Sequence, residues 1–192
     1  DAATARSVDF DGNDELSIAA SSDFNYGTGD FTIECYIKPD DLSAPSYNKR
    51  IFSNGSNTSG FLALIKTNGA VEIKNGNSSV LLTESGLINI GQWYHFALVR
   101  QSGTAKIFIN GVLAKSASYS TGMDYSSDIF LVGNQTGSSQ AGGFDGKISN
   151  FRIVKGTAVY TSSFRPPTEP LTNITNTKLL CCNNSSTTGS TV

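Results

Sequence analysis

The chain has 192 residues, 38% hydrophobic and only 16% charged, with a net charge of -2, enough for one β domain of the kind that commonly reaches about 200–250 residues. No basic stripe exists to neutralise phosphates, which excludes a general nucleic-acid binder, and no apolar run approaches the roughly 20 residues that cross a bilayer. With so few charges, Ser, Thr, Asn and Gly must carry the surface, a coat suited to an extracellular, virion or cell-surface β protein.

The opening DAATARS lacks Met and an apolar signal core, and reads as a processed end or a piece of a longer polypeptide. Short strands are predicted at 7–10 and 15–19, around the turn Asp11-Gly12-Asn13-Asp14. A polar loop with Phe24 and Tyr26 leads to a cleanly alternating strand over 31–38. Pro39 stops it, because proline cannot donate to a ladder. After a loop holding Pro45 and Tyr47, strands follow at 49–53, 60–66, 70–74 and 79–83. The pairs Asn54-Gly55, Asn68-Gly69 and Asn75-Gly76 fall between them.

The organising stretch is 93–116, WYHFALVRQSGTAKIFINGVLAKS. Its first strand is apolar on both faces, as in a sheet covered on both sides. Asn110-Gly111 then reverses the chain, since Asn-Gly tolerates positive φ at both central turn positions. A loop over 119–128 precedes a strand at 129–132, and a Gly/Ser/Gln loop at 133–143 precedes a long strand at 144–154. The spacing of Phe144, Ile148, Phe151 and Ile153 predicts a bulge or register change there. One helical turn is expected over 157–164, then an extended crossing forced by Pro166, Pro167 and Pro170. A last strand over 178–182 is expected to return beside the first, and 183–192 reads as a polar tail or linker. Regular turn signals without helical periodicity give an all-β fold, a two-sheet antiparallel jelly-roll sandwich over 1–182.

Three stretches carry a resemblance: SVDFDGNDELSIAASSDFNYGTGDFTIECYIKP (7–39), GQWYHFALVRQSGTAKIFINGVLA (91–114) and FDGKISNFRIVKGTAVYTSSFRPPTEPL (144–171). Together they resemble laminin-G-like domains of the concanavalin A-like superfamily, and the last is similar to copies in phage and marine-microbe surface or fibre proteins. The resemblance implies two facing sheets and a role in adhesion or recognition, often with a bound calcium. Some relatives on this fold cleave polysaccharides, and fold alone does not choose between these roles.

Glycoside hydrolysis needs two facing carboxylates. The five Glu residues include no two at the strand spacing that enzymes of this superfamily use, and Glu34 is expected to stand alone, facing outward. His95, the only histidine, has no nucleophile motif beside it and reads as a structural, hydrogen-bonded imidazole. The chain is therefore read as a non-enzyme. Sugar binding needs an aromatic face and a few amides or hydroxyls, for which the loops offer Tyr26, Tyr47, Tyr119 and Tyr125 with Asn134, Gln135 and Gln140. Calcium, which takes six to eight oxygens, is a candidate cofactor, with Asp11, Asp14 and Asp145 the first neighbourhood. The related pentraxins gather calcium ligands in the loop corresponding to 133–140, where this chain has amides and no acid.

Cys35 alternates with core residues and reads as a buried free thiol. Cys181 and Cys182 point to opposite faces, so one is expected to be buried and one exposed; a bridge from Cys35 to either stays open. The function expected is a non-catalytic recognition or adhesion module, a lectin-like domain that binds glycan or another surface polymer on a virion fibre or cell surface. The alternative is a structural virion or surface-assembly subunit packing against copies of itself or a scaffold protein.

Overall fold

The computed structural model describes residues 2–4, 6–43, 48–56, 58–136 and 142–183. In chain order the strands begin with β1 (Val8–Asp11), β2 (Leu16–Ile18), β3 (Asn25–Gly27), β4 (Phe31–Pro39) and β5 (Lys49–Asn54). Next come β6 (Phe61–Ile65), β7 (Val71–Asn75), β8 (Ser78–Leu82), β9 (Tyr94–Gln101) and β10 (Thr104–Ile109). The last are β11 (Val112–Ser118), β12 (Met123–Asp124), β13 (Phe130–Val132), β14 (Asp145–Lys155) and β15 (Thr177–Cys181). The first sheet runs β1-β14-β4-β9-β10-β11, with β15 also on β14; the second runs β2-β13-β5-β6-β7-β8. β3 and β12 form a separate ribbon.

The two sheets pack through aromatic side chains on their facing sides. Phe52 of β5 stacks on Phe130 of β13 at 5.5 Å and meets Phe151 of β14 edge-on at 6.0 Å. Phe31 and Phe61 cross from opposite sheets at 6.0 Å. Each such ring, fully buried, contributes about 1.5–3 kcal/mol. Arg100, also buried, sits 5.0 Å over the Phe31 ring and donates to the carbonyls of Tyr26, Gly27, Gly29 and Thr121. It thereby anchors β3 and the approach to β12.

Turn chemistry explains the hairpins. Asn110 (φ 51) and Gly111 (φ 76) occupy the left-handed region between β10 and β11, with Ile109 paired to Val112. The bulge expected in the long strand is present as a register shift between Ser149 and Arg152, with Asn150 at φ 53. The Asn150 side chain joins distant segments: its Oδ1 accepts from Leu171 N at 2.6 Å and its Nδ2 donates to the Ala3 carbonyl.

Three expectations are corrected. The segment 157–164 forms no helical turn. Thr32 on β4 holds it extended, donating to Thr157 O and accepting from Val159 N, and Phe164 N donates to Gly111 O. Pro166 then keeps Arg165, the next residue, out of the helical region. Tyr160, Phe164 and Ala158 then pack over Ala97, Val99 and Phe108, covering the first sheet's outer face. This is why β9 is apolar on both sides. β15 does not lie beside β1: both pair with the same edge of β14, end to end, because β1 occupies Asp145–Ile148 and β15 occupies Phe151–Val154. Finally, Cys181 and Cys182 are both buried, since Cys182 turns to φ 59 and leaves the strand's alternation. Cys35 is a buried free thiol, as expected.

Candidate functional site

A cleft of about 330 Å³ opens on the outer face of the first sheet, lined by Thr4, Tyr36, Trp93, His95, Asn110 and the run Arg165–Thr168. Its floor follows from strand alternation: core-facing Cys35 and Ile37 leave Tyr36 on the outer face, opposite His95 in the β4–β9 register. Half-buried Trp93 stands just before β9. Asn110, in the β10–β11 turn, donates its N–H to the His95 carbonyl at 2.8 Å and accepts from His95 N at 2.9 Å. The Tyr36 hydroxyl donates to the Pro167 carbonyl and fixes the opposite wall. Burial, followed by the charge of Glu34, pushes the Tyr36 phenol up to about 12, so it stays a neutral donor.

Behind the floor lies a buried polar network. Glu34 Oε1 accepts from Arg152 Nε at 3.0 Å and Nη2 at 2.6 Å; Oε2 accepts from Tyr160 Oη at 2.7 Å and lies 3.1 Å from His95 Nε2. Burial raises the Glu34 carboxyl, but the His95 hydrogen bond, the Arg152 charge and the Tyr160 hydroxyl outweigh it and hold it below the usual carboxylate range. An ionised carboxylate only accepts, so Nε2 carries a proton. In the neutral ring Nδ1 is then an acceptor, and this buried atom has no hydrogen-bond partner among the described residues. The expected hydrogen-bonded imidazole is therefore present. Glu34 does face away from the sandwich interior, but it is neither exposed nor alone, because the 157–171 segment closes over it and supplies Tyr160.

The sequence-predicted site residues are not gathered in this cleft. Tyr26 and Tyr125, expected as loop platforms, are 4% and 7% exposed. Tyr26 packs on Phe31 at 5.1 Å and Tyr125 stacks on Phe61 at 6.1 Å, because both rings fill the space between the sheets. Half-buried Tyr119 and the Tyr125 hydroxyl both bond to Asn75. Asn134 and Gln135 are buried beyond β13 in the second sheet, and among the described residues Asn134 Nδ2 and Gln135 Oε1 have no hydrogen-bond partner. Tyr47 and Gln140 lie outside the described residues.

Antiparallel pairing of β1 with β14 does set Asp11 opposite Asp145, with Asp14 beside them. Asp11 Oδ1 accepts from Asn13 N at 2.8 Å and Asp14 Oδ2 from Asp11 N at 3.3 Å, so these carboxylates brace the turn. Among the described residues no group of three His, Cys, Asp or Glu side chains is placed to hold a metal.

Trp93, Arg165 and Thr168 were not singled out by sequence reasoning. Two signals pointed there: the chain's only tryptophan at the start of its most apolar strand, and an arginine followed by two prolines.

A family model described as the concanavalin A-like lectin/glucanases superfamily matches residues 10–159. No curated protein matches the sequence. The chain is similar in structure to a Bacteroides ovatus protein provisionally described as carbohydrate binding, with 18% identity and a TM-score of 0.64, over 92% of this chain and 50% of that one. It is similar to the CBM40 of a Ruminococcus gnavus IT-sialidase bound to α2,6-sialyllactose, with 16% identity and a TM-score of 0.60, over 81% of this chain and 93% of that one. It is also similar to domains LG4-5 of the mouse laminin α1 chain, with 16% identity and a TM-score of 0.59, over 85% of this chain and 45% of that one. The chain thus spans half the length of the Bacteroides ovatus protein. At these identities the likenesses show the fold.

Proposed function

Given a chain that belongs to the concanavalin A-like lectin/glucanases superfamily, we propose that it is a non-catalytic recognition module that binds a glycan in the cleft beside Trp93. The observation that carries this reading is the cleft's composition. Trp93 supplies an apolar face for a pyranose, and Asn110, Thr4 and Thr168 supply hydrogen-bonding side chains around it. A volume of about 330 Å³ suits one or two sugar rings. No carboxylate lines the cleft among the described residues, and Glu34 behind it is committed to Arg152, Tyr160 and His95. Two opposed acids, the requirement for breaking a glycosidic bond, are therefore not offered to a ligand there.

Relatives of the same fold were solved with sugars bound, the Ruminococcus gnavus CBM40 with sialyllactose and domain 4 of a Geobacillus stearothermophilus arabinanase with arabinotriose. They support glycan binding as the class of activity. The Ser, Thr and Asn coat supports display outside the cell, on a virion, fibre or cell surface. The test is a glycan array run with the wild-type chain and with Trp93→Ala. The wild type binds at least one saccharide class, and the variant loses more than about tenfold in affinity, as for a central aromatic anchor. A featureless array, or hits that survive in Trp93→Ala, would refute the reading.

A further inference from the structure

We propose that the saccharide in this cleft is acidic, and that Arg165 takes up its carboxylate or sulfate group. This rests on the glycan reading above and narrows it to a ligand class. Arg165 is the one Arg, Lys, Asp or Glu side chain among the described residues that line the cleft. Arg165 is exposed, and it makes no hydrogen bond or ion pair with any described residue. Elsewhere in the fold Arg100 holds four carbonyls and Arg152 holds Glu34.

The backbone under Arg165 is pinned on both sides. Before it, Phe164 donates its N–H to Gly111 O at 2.9 Å and stacks on Tyr160 at 3.6 Å. After it, Pro166 and Pro167 restrict φ, and the Pro167 carbonyl accepts from the Tyr36 hydroxyl. Proline also keeps the residue before it extended. A cation is thus mounted on a stiff wall, with only its own side chain left to order. The buried Glu34 behind the cleft floor does not cancel it, because that carboxylate is already paired with Arg152. A planar guanidinium at the mouth of a sugar-sized cleft matches a carboxylate or sulfate through two parallel N–H donors.

The experiment compares matched ligands by titration followed by NMR: methyl β-glucuronide against methyl β-glucoside, 3′-sialyllactose against lactose, and glucose 6-sulfate against glucose. For at least one pair the acidic member binds about tenfold more tightly at low salt, and its advantage shrinks as salt is raised. The first two pairs report a carboxylate and the third a sulfate. Arg165→Met abolishes the preference, Arg165→Lys keeps part of it, and Trp93→Ala weakens both members. Equal affinity within every pair, unchanged in Arg165→Met but lost in Trp93→Ala, would overturn the acidic class while leaving glycan binding in place. No binding by any member would overturn both.

Discussion

Glu34 is the residue on which the floor of the cleft depends. It is fully buried, and its charge is tolerable only because Arg152, Tyr160 and His95 meet it together. Glu34→Gln leaves Arg152 buried without its counter-charge, and the expected loss is about 3 kcal/mol or more in a denaturant melt. The pH dependence follows from the sign of the shift. A carboxyl held low in the folded chain contributes stability that is fully present above its unfolded value, about 4.3. That contribution disappears as pH falls through the lower, folded value. Wild-type stability should therefore drop steeply below about pH 4.3, and the drop should be shallower in Glu34→Gln. Equal acid limbs in the two proteins would mean that Glu34 is not held ionised. The sequence showed Glu34 as a lone acid on an alternating strand. Its partners stand at 95, 152 and 160, and no local pattern ties those positions together.

Among the elements, the extended segment 157–171 makes the site, because it turns an ordinary sheet face into a cleft. Its seat is the β10–β11 turn. A Cβ on Gly111 would collide with the Phe164 carbonyl, and Gly111 lies at φ 76. Gly111→Ala should cost about 1–2 kcal/mol for the left-handed backbone alone, and it should also weaken saccharide binding by displacing Arg165–Thr168. Gly103→Ala is the control. Gly103 has nearly the same φ, 75, but an added Cβ there meets only Ser120 Cβ at 3.6 Å. It should lower stability by a similar amount and leave binding unchanged. If both variants bind like wild type, the wall does not depend on the turn. The hairpins themselves were legible, because Asn-Gly pairs and alternation are local signals. The ribbon of β3 and β12 was not, being only three and two residues long. Over 157–164, short apolar spacing could not separate a helical turn from an extended strap. What decides it is the outer face of β4, β9 and β10, which lies far away in the chain.

At the scale of the whole molecule, the sandwich brings residues 4, 36, 93, 95, 110 and 165–168 to one place. The fold could be read from the sequence because the strands of its two main sheets are marked by alternation and turn residues. The site could not, because it is assembled from five separate stretches whose meeting depends on how the sheet is covered. The loop tyrosines misled for a related reason: polar loops around Tyr26 and Tyr125 looked exposed, yet Arg100 draws the first of them inward and the Asn75 side chain anchors the second. The chain contains one tryptophan, and it lines the cleft. Its fluorescence is therefore a direct report of occupancy, and the decisive measurement is a titration of Trp93 emission with saccharides that score on the array. A saturable change in intensity or wavelength, with the same midpoint as an independent binding assay, is the predicted result. A saccharide that binds the protein yet leaves Trp93 emission unchanged at saturation would contradict the placement of the site.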